Sequence, residues 1–197
     1  MTSSLSADNQ IMSIVKDINS LDSDTIIKKL QEAAIDFPTD PRPLILLAGE
    51  YSQIGATDKA EGAFITALQR SPDYAIARFM LGLLQFTSGR SATAIATWSE
   101  LSKLPDGNEL SLFKRGMEFL AVDNFVESAK LLQSGIKANT SNPSLNNDMQ
   151  RLLNKVLEQI SLSPLPVSTP PLAIDSSMVE MEATAQHILL SNYKNLH

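Results

Sequence analysis

Residues suited to chemistry near neutral pH are scarce and poorly grouped in this 197-residue chain. Histidine occurs twice, at His187 and His197, and cysteine is absent. His187 has no second histidine at helical spacing with which to share a zinc ion, and without cysteine there is neither a thiolate site nor a disulfide framework. No glycine-rich phosphate loop, strained nucleophile elbow or paired-histidine helix is present. The 22 acidic side chains outnumber the 16 Lys and Arg, and within the central region they are expected largely on outward faces, where solvated charge is their ordinary role. A net charge of -6 with no basic cluster argues against a nucleic-acid backbone as ligand. Neither catalysis, nor a metal, nor a cofactor is therefore expected. The N-terminus lacks the basic and apolar regions of a secretion signal, and no apolar run is long enough to span a membrane. A soluble, cytoplasmic protein is the expectation.

What the chain offers instead is apolar surface in a strict register. Residues from Pro41 to Thr140 repeat every 34 positions, with Pro41, Ala75 and Glu109 as first places and no gap between blocks. The eighth places are Ala48, Gly82 and Gly116, and the twentieth are Ala60, Ala94 and Ser128. The twenty-fourth places are Phe64, Trp98 and Leu132, and the twenty-seventh are Ala67, Leu101 and Gly135. Small residues stand where two helices approach closely and large ones where a neighbouring pair needs filling. In the first block Leu47, Ala48, Tyr51, Gly55, Ala60, Phe64, Ala67, Leu68 and Pro72 follow in order. The second keeps Leu81, Gly82, Gly89, Ala94 and Trp98 but has Gln85 in an aromatic place, and the third carries Arg115 and Ser128 in places of leucine and alanine. This pattern resembles the tetratricopeptide repeat (TPR) family. The resemblance implies an all-α, right-handed solenoid of antiparallel helix pairs.

The blocks are residues 41–74, 75–108 and 109–142. Their first helices are expected over about 41–53, 75–87 and 109–121, and their second helices over about 57–70, 91–103 and 125–138. Gly55, Gly89 and the Asp123-Asn124 pair serve the turns within the pairs. Residues 1–40 read as N-terminal helices of a degenerate repeat, or alternatively an independent hairpin; the polar residues 1–7 are expected to fray. Pro143 opens a solubilising cap helix over 143–160, with Leu145, Met149, Leu152, Leu153, Val156, Leu157 and Ile160 on its apolar face. Residues 161–174, with Pro164, Pro166, Pro170 and Pro171, read as an extended linker. Residues 175–197 then form an amphipathic C-terminal helix with Met178, Met181, Ala185, Ile188 and Leu189 on one stripe.

The family resemblance also implies where a partner would bind, because the first helix of each pair lines the concave groove. Carried onto this chain, the groove places are Ile45, Ile76, Phe79, Leu83, Phe86, Leu110, Phe113, Met117 and Leu120. Some family members hold a terminal carboxylate at these places with lysine and asparagine; apolar side chains here would desolvate it without a donor. Two readings of the stripe stay open: a groove covered by a partner, or packing between adjacent pairs. The expected function is that of an adaptor or chaperone-like subunit holding an apolar helix or extended peptide, with its own tail as a competitor. The specialised chaperones of bacterial secretion systems are similar in size and layout. The alternative is a homo-oligomeric structural or regulatory subunit of a larger complex, secretory or biosynthetic, in which tail and groove are exchanged, giving a homodimer through the C-terminal helix.

Overall fold

The computed structural model describes residues 2–17 and 20–162; the linker and tail stripe expected beyond lie outside the described residues. Among the described residues there are nine α-helices and no strand: α1 (Thr2–Asp17), α2 (Ser23–Asp36), α3 (Arg42–Gln53), α4 (Thr57–Arg70), α5 (Ala75–Thr87), α6 (Ser91–Trp98), α7 (Glu109–Leu120), α8 (Phe125–Ala138) and α9 (Pro143–Leu162). A 3-10 segment, Ser99–Lys103, extends α6. The second helices begin at Ser23, Thr57, Ser91 and Phe125, each 34 residues after the last. The chain divides into two compact units, one through Phe86 and one from Thr87 onward.

In the first unit, α1 to α5 surround a core of Ile14, Ile26, Leu30, Ala33, Leu44, Leu47, Tyr51, Ala60 and Ala67. A second cluster joins Ala48, Ala63 and Phe64 to Leu81. Tyr51 ties three helices together. Its ring packs in the core, its hydroxyl accepts from Gln31 Nε2 at 3.0 Å, and Lys59 Nζ lies 5.6 Å from the ring centre. The Asp22 side chain caps α2 by accepting from Thr25 N at 2.9 Å, which satisfies one of the donors that a helix start leaves free. The opposite end of α2 is closed by Arg70, whose Nη1 donates to the carbonyls of Ala34, Phe37 and Asp40 at 3.2, 3.5 and 3.3 Å. Residues 1–7 differ from expectation: α1 already starts at Thr2, and buried Ala7 opens the stripe that continues through Ile11 and Ile14.

In the second unit, α7 and α8 form a tight pair. A Cβ at Gly116 would stand 3.2 Å from the Leu132 side chain, and one at Gly135 would stand 2.5 Å from the Phe113 ring. The backbones approach this closely because both positions lack a side chain. The expected second helix of the middle block is divided at Trp98, where α6 tightens to 3-10 geometry. Leu104, directly before Pro105, is extended at ψ 151, as proline demands of its predecessor. A lattice of asparagines sets α9 against α8. Buried Asn139 donates to the Asn142 carbonyl at 2.8 Å and to Asn146 Oδ1 at 2.9 Å, while Asn142 Oδ1 caps α9 by accepting from Leu145 N at 3.0 Å. The buried face of α9 is Leu145, Met149, Leu152, Leu153 and Val156; of the other two residues expected there, Leu157 is 42% exposed and Ile160 half-buried.

Candidate functional site

The candidate partner-binding residues sit on the first helix of each block. On α5, Ile76, Phe79, Leu83 and Phe86 are spaced by three, four and three residues, so one side of the helix carries all four. Leu110, Phe113, Met117 and Leu120 follow the same spacing on α7. Burial divides them. Ile45, Ile76 and Phe86 are half-buried, whereas Phe79, Leu83, Leu110, Phe113, Met117 and Leu120 are buried, Phe79, Phe113 and Met117 at 0% exposure. Ile45 packs against both clusters of the first unit. Phe113 fills the notch left by Gly135, so in this conformation its ring serves the α7–α8 pair. The half-buried apolar residues Met80 and Leu84 flank the α5 stripe on the side that packs against the clusters. Their periodicity is visible in the sequence, but family places alone do not select them.

Two charged groups on these helices are engaged locally. Arg78 Nη2 donates to the Pro72 carbonyl at 2.6 Å, and Lys114 pairs with Glu118 at 2.9 Å. Gln85, in its aromatic place, is buried and donates from Nε2 to Glu61 Oε1 of α4 at 3.0 Å. The most charged grouping of the first unit is one that residue types alone do not announce. Arg42 grips Asp40 through Nε, 3.0 Å from each carboxylate oxygen, and through Nη2 at 2.6 Å; the same Nη2 lies 2.7 Å from Asp8 Oδ1. Burial alone would raise the Asp40 carboxyl, but hydrogen bonds from Arg42 and the charges of Arg42 and Arg70 hold it below the usual carboxylate range. The hydrogen bonds that Arg42 donates to Asp40 and Asp8 in turn raise its pKa above its ordinary value. Asp8 lies in a different helix, and its spacing from Arg42 carries no motif.

No helix among the described residues is long and apolar enough to cross a membrane. No protein-family model and no curated protein matches the sequence. Solved structures do. The chain is similar to MamA from Desulfovibrio magneticus RS-1, residues 41 to the end, at 11% identity and a TM-score of 0.55, over 96% of this chain and 97% of that one. A crystal structure of MamA protein matches at 15% identity and a TM-score of 0.52, over 84% of this chain and 98% of that one. A further MamA crystal structure matches at 16% identity and a TM-score of 0.53, over 67% and 77%. At such identities the likeness speaks to fold alone. The 34-residue register, the helix pairs and these likenesses together show that the chain has an all-α, tetratricopeptide-like fold of antiparallel helix pairs.

Proposed function

We propose that this protein is a non-catalytic adaptor that holds an apolar segment of another protein against the first helices of its repeats. The observation that carries the reading is α5. Among its thirteen residues only Arg78, Gln85 and Thr87 are polar, and apolar side chains run beyond the buried face to half-buried Ile76 and Met80. A helix apolar on this much of its circumference is at home only when covered. The places Ile45, Gly49, Phe79, Leu83, Phe113 and Met117 provide no side-chain donor, so a peptide's terminal carboxylate is a poor ligand and an amphipathic helix or extended apolar strand a good one. Ile45, Ile76 and Phe86 make the first contact in this reading. Within the first unit Phe79 and Leu83 act as the packed floor of α5; on α7 of the second unit Leu110, Met117 and Leu120 are the corresponding packed positions, and Phe113 acts through the α7–α8 pair. The setting is cytoplasmic and the role is that of a chaperone-like or assembly subunit.

The test is a titration of the full-length protein with an amphipathic helical peptide, followed by calorimetry. Ile76→Asp should abolish binding while leaving the helical circular dichroism signal intact. Raising salt from about 0.1 to about 0.5 M should change affinity little, because screening acts on charge pairs and not on apolar burial. Undiminished binding by Ile76→Asp, or a steep salt dependence, would count against the reading.

A further inference from the structure

We propose that the surface on which α1 rests is also the binding site for residues Ile174–Met181 of this chain's own C-terminal segment, which takes the place of α1 there. Two stretches far apart in the sequence share one pattern. Ala7–Ile14 reads Ala-Asp-Asn-Gln-Ile-Met-Ser-Ile, and Ile174–Met181 reads Ile-Asp-Ser-Ser-Met-Val-Glu-Met. In both, an aspartate follows an apolar residue, two polar residues come next, and apolar side chains stand three, four and six places after the aspartate. No other aspartate of the chain is followed in this way. Asp175 therefore corresponds to Asp8, Met178 to Ile11 and Met181 to Ile14.

The seat reads those positions. Asp8 Oδ1 accepts from Arg42 Nη2 at 2.7 Å, and Ala7, Ile11 and Ile14 are the buried side chains of α1. Ile14 belongs to the core cluster of Ile26, Leu30 and Leu44. Within the seat Asp40 also holds Arg42 through both Nε and Nη2, a pairing that needs no α1 carboxylate. The guanidinium thus remains paired and aimed, ready for the next carboxylate. The hold on α1 itself is modest. Its ion pairs Asp8 to Arg42 and Asp17 to Lys29 are partly exposed, where such pairs contribute little. Two of its other large apolar residues, Met12 and Val15, are 59% and 40% exposed. Methionine at the two buried positions of the incoming segment suits a site shaped around isoleucine, since its unbranched side chain adapts to irregular surfaces.

The proposal stands apart from the partner-binding positions on α5 and on α7, and one experiment separates them. Hydrogen exchange is followed in the intact protein while a synthetic peptide of residues 170–190 is added in excess. Amides of residues 7–14 should exchange at least about tenfold faster as α1 is displaced, with α3 and α4 unchanged. An Asp175→Asn peptide should bind about fivefold more weakly, the scale of a partly exposed ion pair, and a Met181→Asp peptide should have no effect. In the full-length protein, Asp175→Asn should make α1 more protected than in the parent. Unchanged exchange of α1 under saturating peptide would overturn the proposal, as would an Asp175→Asn peptide as potent as the native one. A response confined to α5 and α7 would also overturn it, and would instead favour the partner face as the tail's site.

Discussion

Ser128 is fully buried, and its hydroxyl finds no hydrogen-bond partner among the described residues. The equivalent places one and two blocks earlier are Ala94 and Ala60, both fully buried. A buried hydroxyl with no partner costs stability, and the neighbouring blocks show that alanine fits. Ser128→Ala should therefore stabilise the protein, by about 1 kcal/mol in chemical denaturation; a loss of stability would mean that the hydroxyl is satisfied in solution. Gly55 tests the backbone in isolation. Its φ is 73°, yet a Cβ there would meet nothing within 4 Å. Gly55→Ala should thus cost about 1 kcal/mol through conformation alone, and Gly55→Asn clearly less, because asparagine tolerates the left-handed region. Equal losses for the two variants would point to packing that the geometry does not show. Both positions were legible from the repeat, since small residues and turn formers recur at fixed places. The pairing of Arg42 with Asp8 was not, because it joins two surface charges that no motif connects.

The fifteenth place of each of the three blocks forms the turn between its two helices. Gly55, Gly89 and Asp123 hold it in the three blocks, and all have positive φ. One block later the place is Leu157, a residue that resists that conformation, and α9 runs unbroken from Pro143 to Leu162. The cap accordingly has no turn former at the place where the three blocks have one. Helix starts were readable in the sequence to within a residue for α3 to α5 and α7 to α9, because caps, prolines and the register agree. The division of α6 was not, since the 3-10 segment follows from local backbone competition that apolar periodicity does not record. The α7–α8 pair gives a sharper test of packing. Gly135→Ala would drive its Cβ into the Phe113 ring at 2.5 Å, so a loss of about 1–3 kcal/mol is expected from overpacking. Adding Phe113→Leu should recover part of that loss, because the two changes share one contact and cannot be additive. Strict additivity in the double variant would mean that the ring and the glycine do not meet.

At the scale of the whole molecule, the fold was more legible than the site. A 34-residue register fixes which helices pair, but an apolar stripe has the same spacing whether it meets a partner or its own neighbours; burial of Leu83, Met117 and Leu120 is a fact of packing that sequence cannot supply. The acidic balance of the chain, -6 overall, poses a related problem in how stability responds to acid. Carboxylates fall into two opposed groups. Asp22 is held below its ordinary value chiefly by the Thr25 hydroxyl, and Asp40 by Arg42 against the effect of burial. Such groups stabilise the fold at neutral pH and lose that contribution as pH falls through their folded values. Glu50 behaves in the opposite sense. Buried on α3, it is raised by desolvation, with a hydrogen bond from Ser23 opposing the rise; Asp148 is raised likewise, with Arg151 opposing. A raised carboxyl binds a proton more readily in the folded chain than in the unfolded one, so its ionisation opposes folding above that window and ceases to do so as pH falls into it. Glu50→Gln should consequently raise the melting temperature near about pH 7 and lose that advantage near about pH 4, where the parent is itself protonated at this position. Thermal melts of both proteins across that range decide the matter: an advantage that grows on acidification, or a glutamine variant less stable throughout, would show that the Glu50 carboxylate is held by a favourable partner and not penalised by its burial.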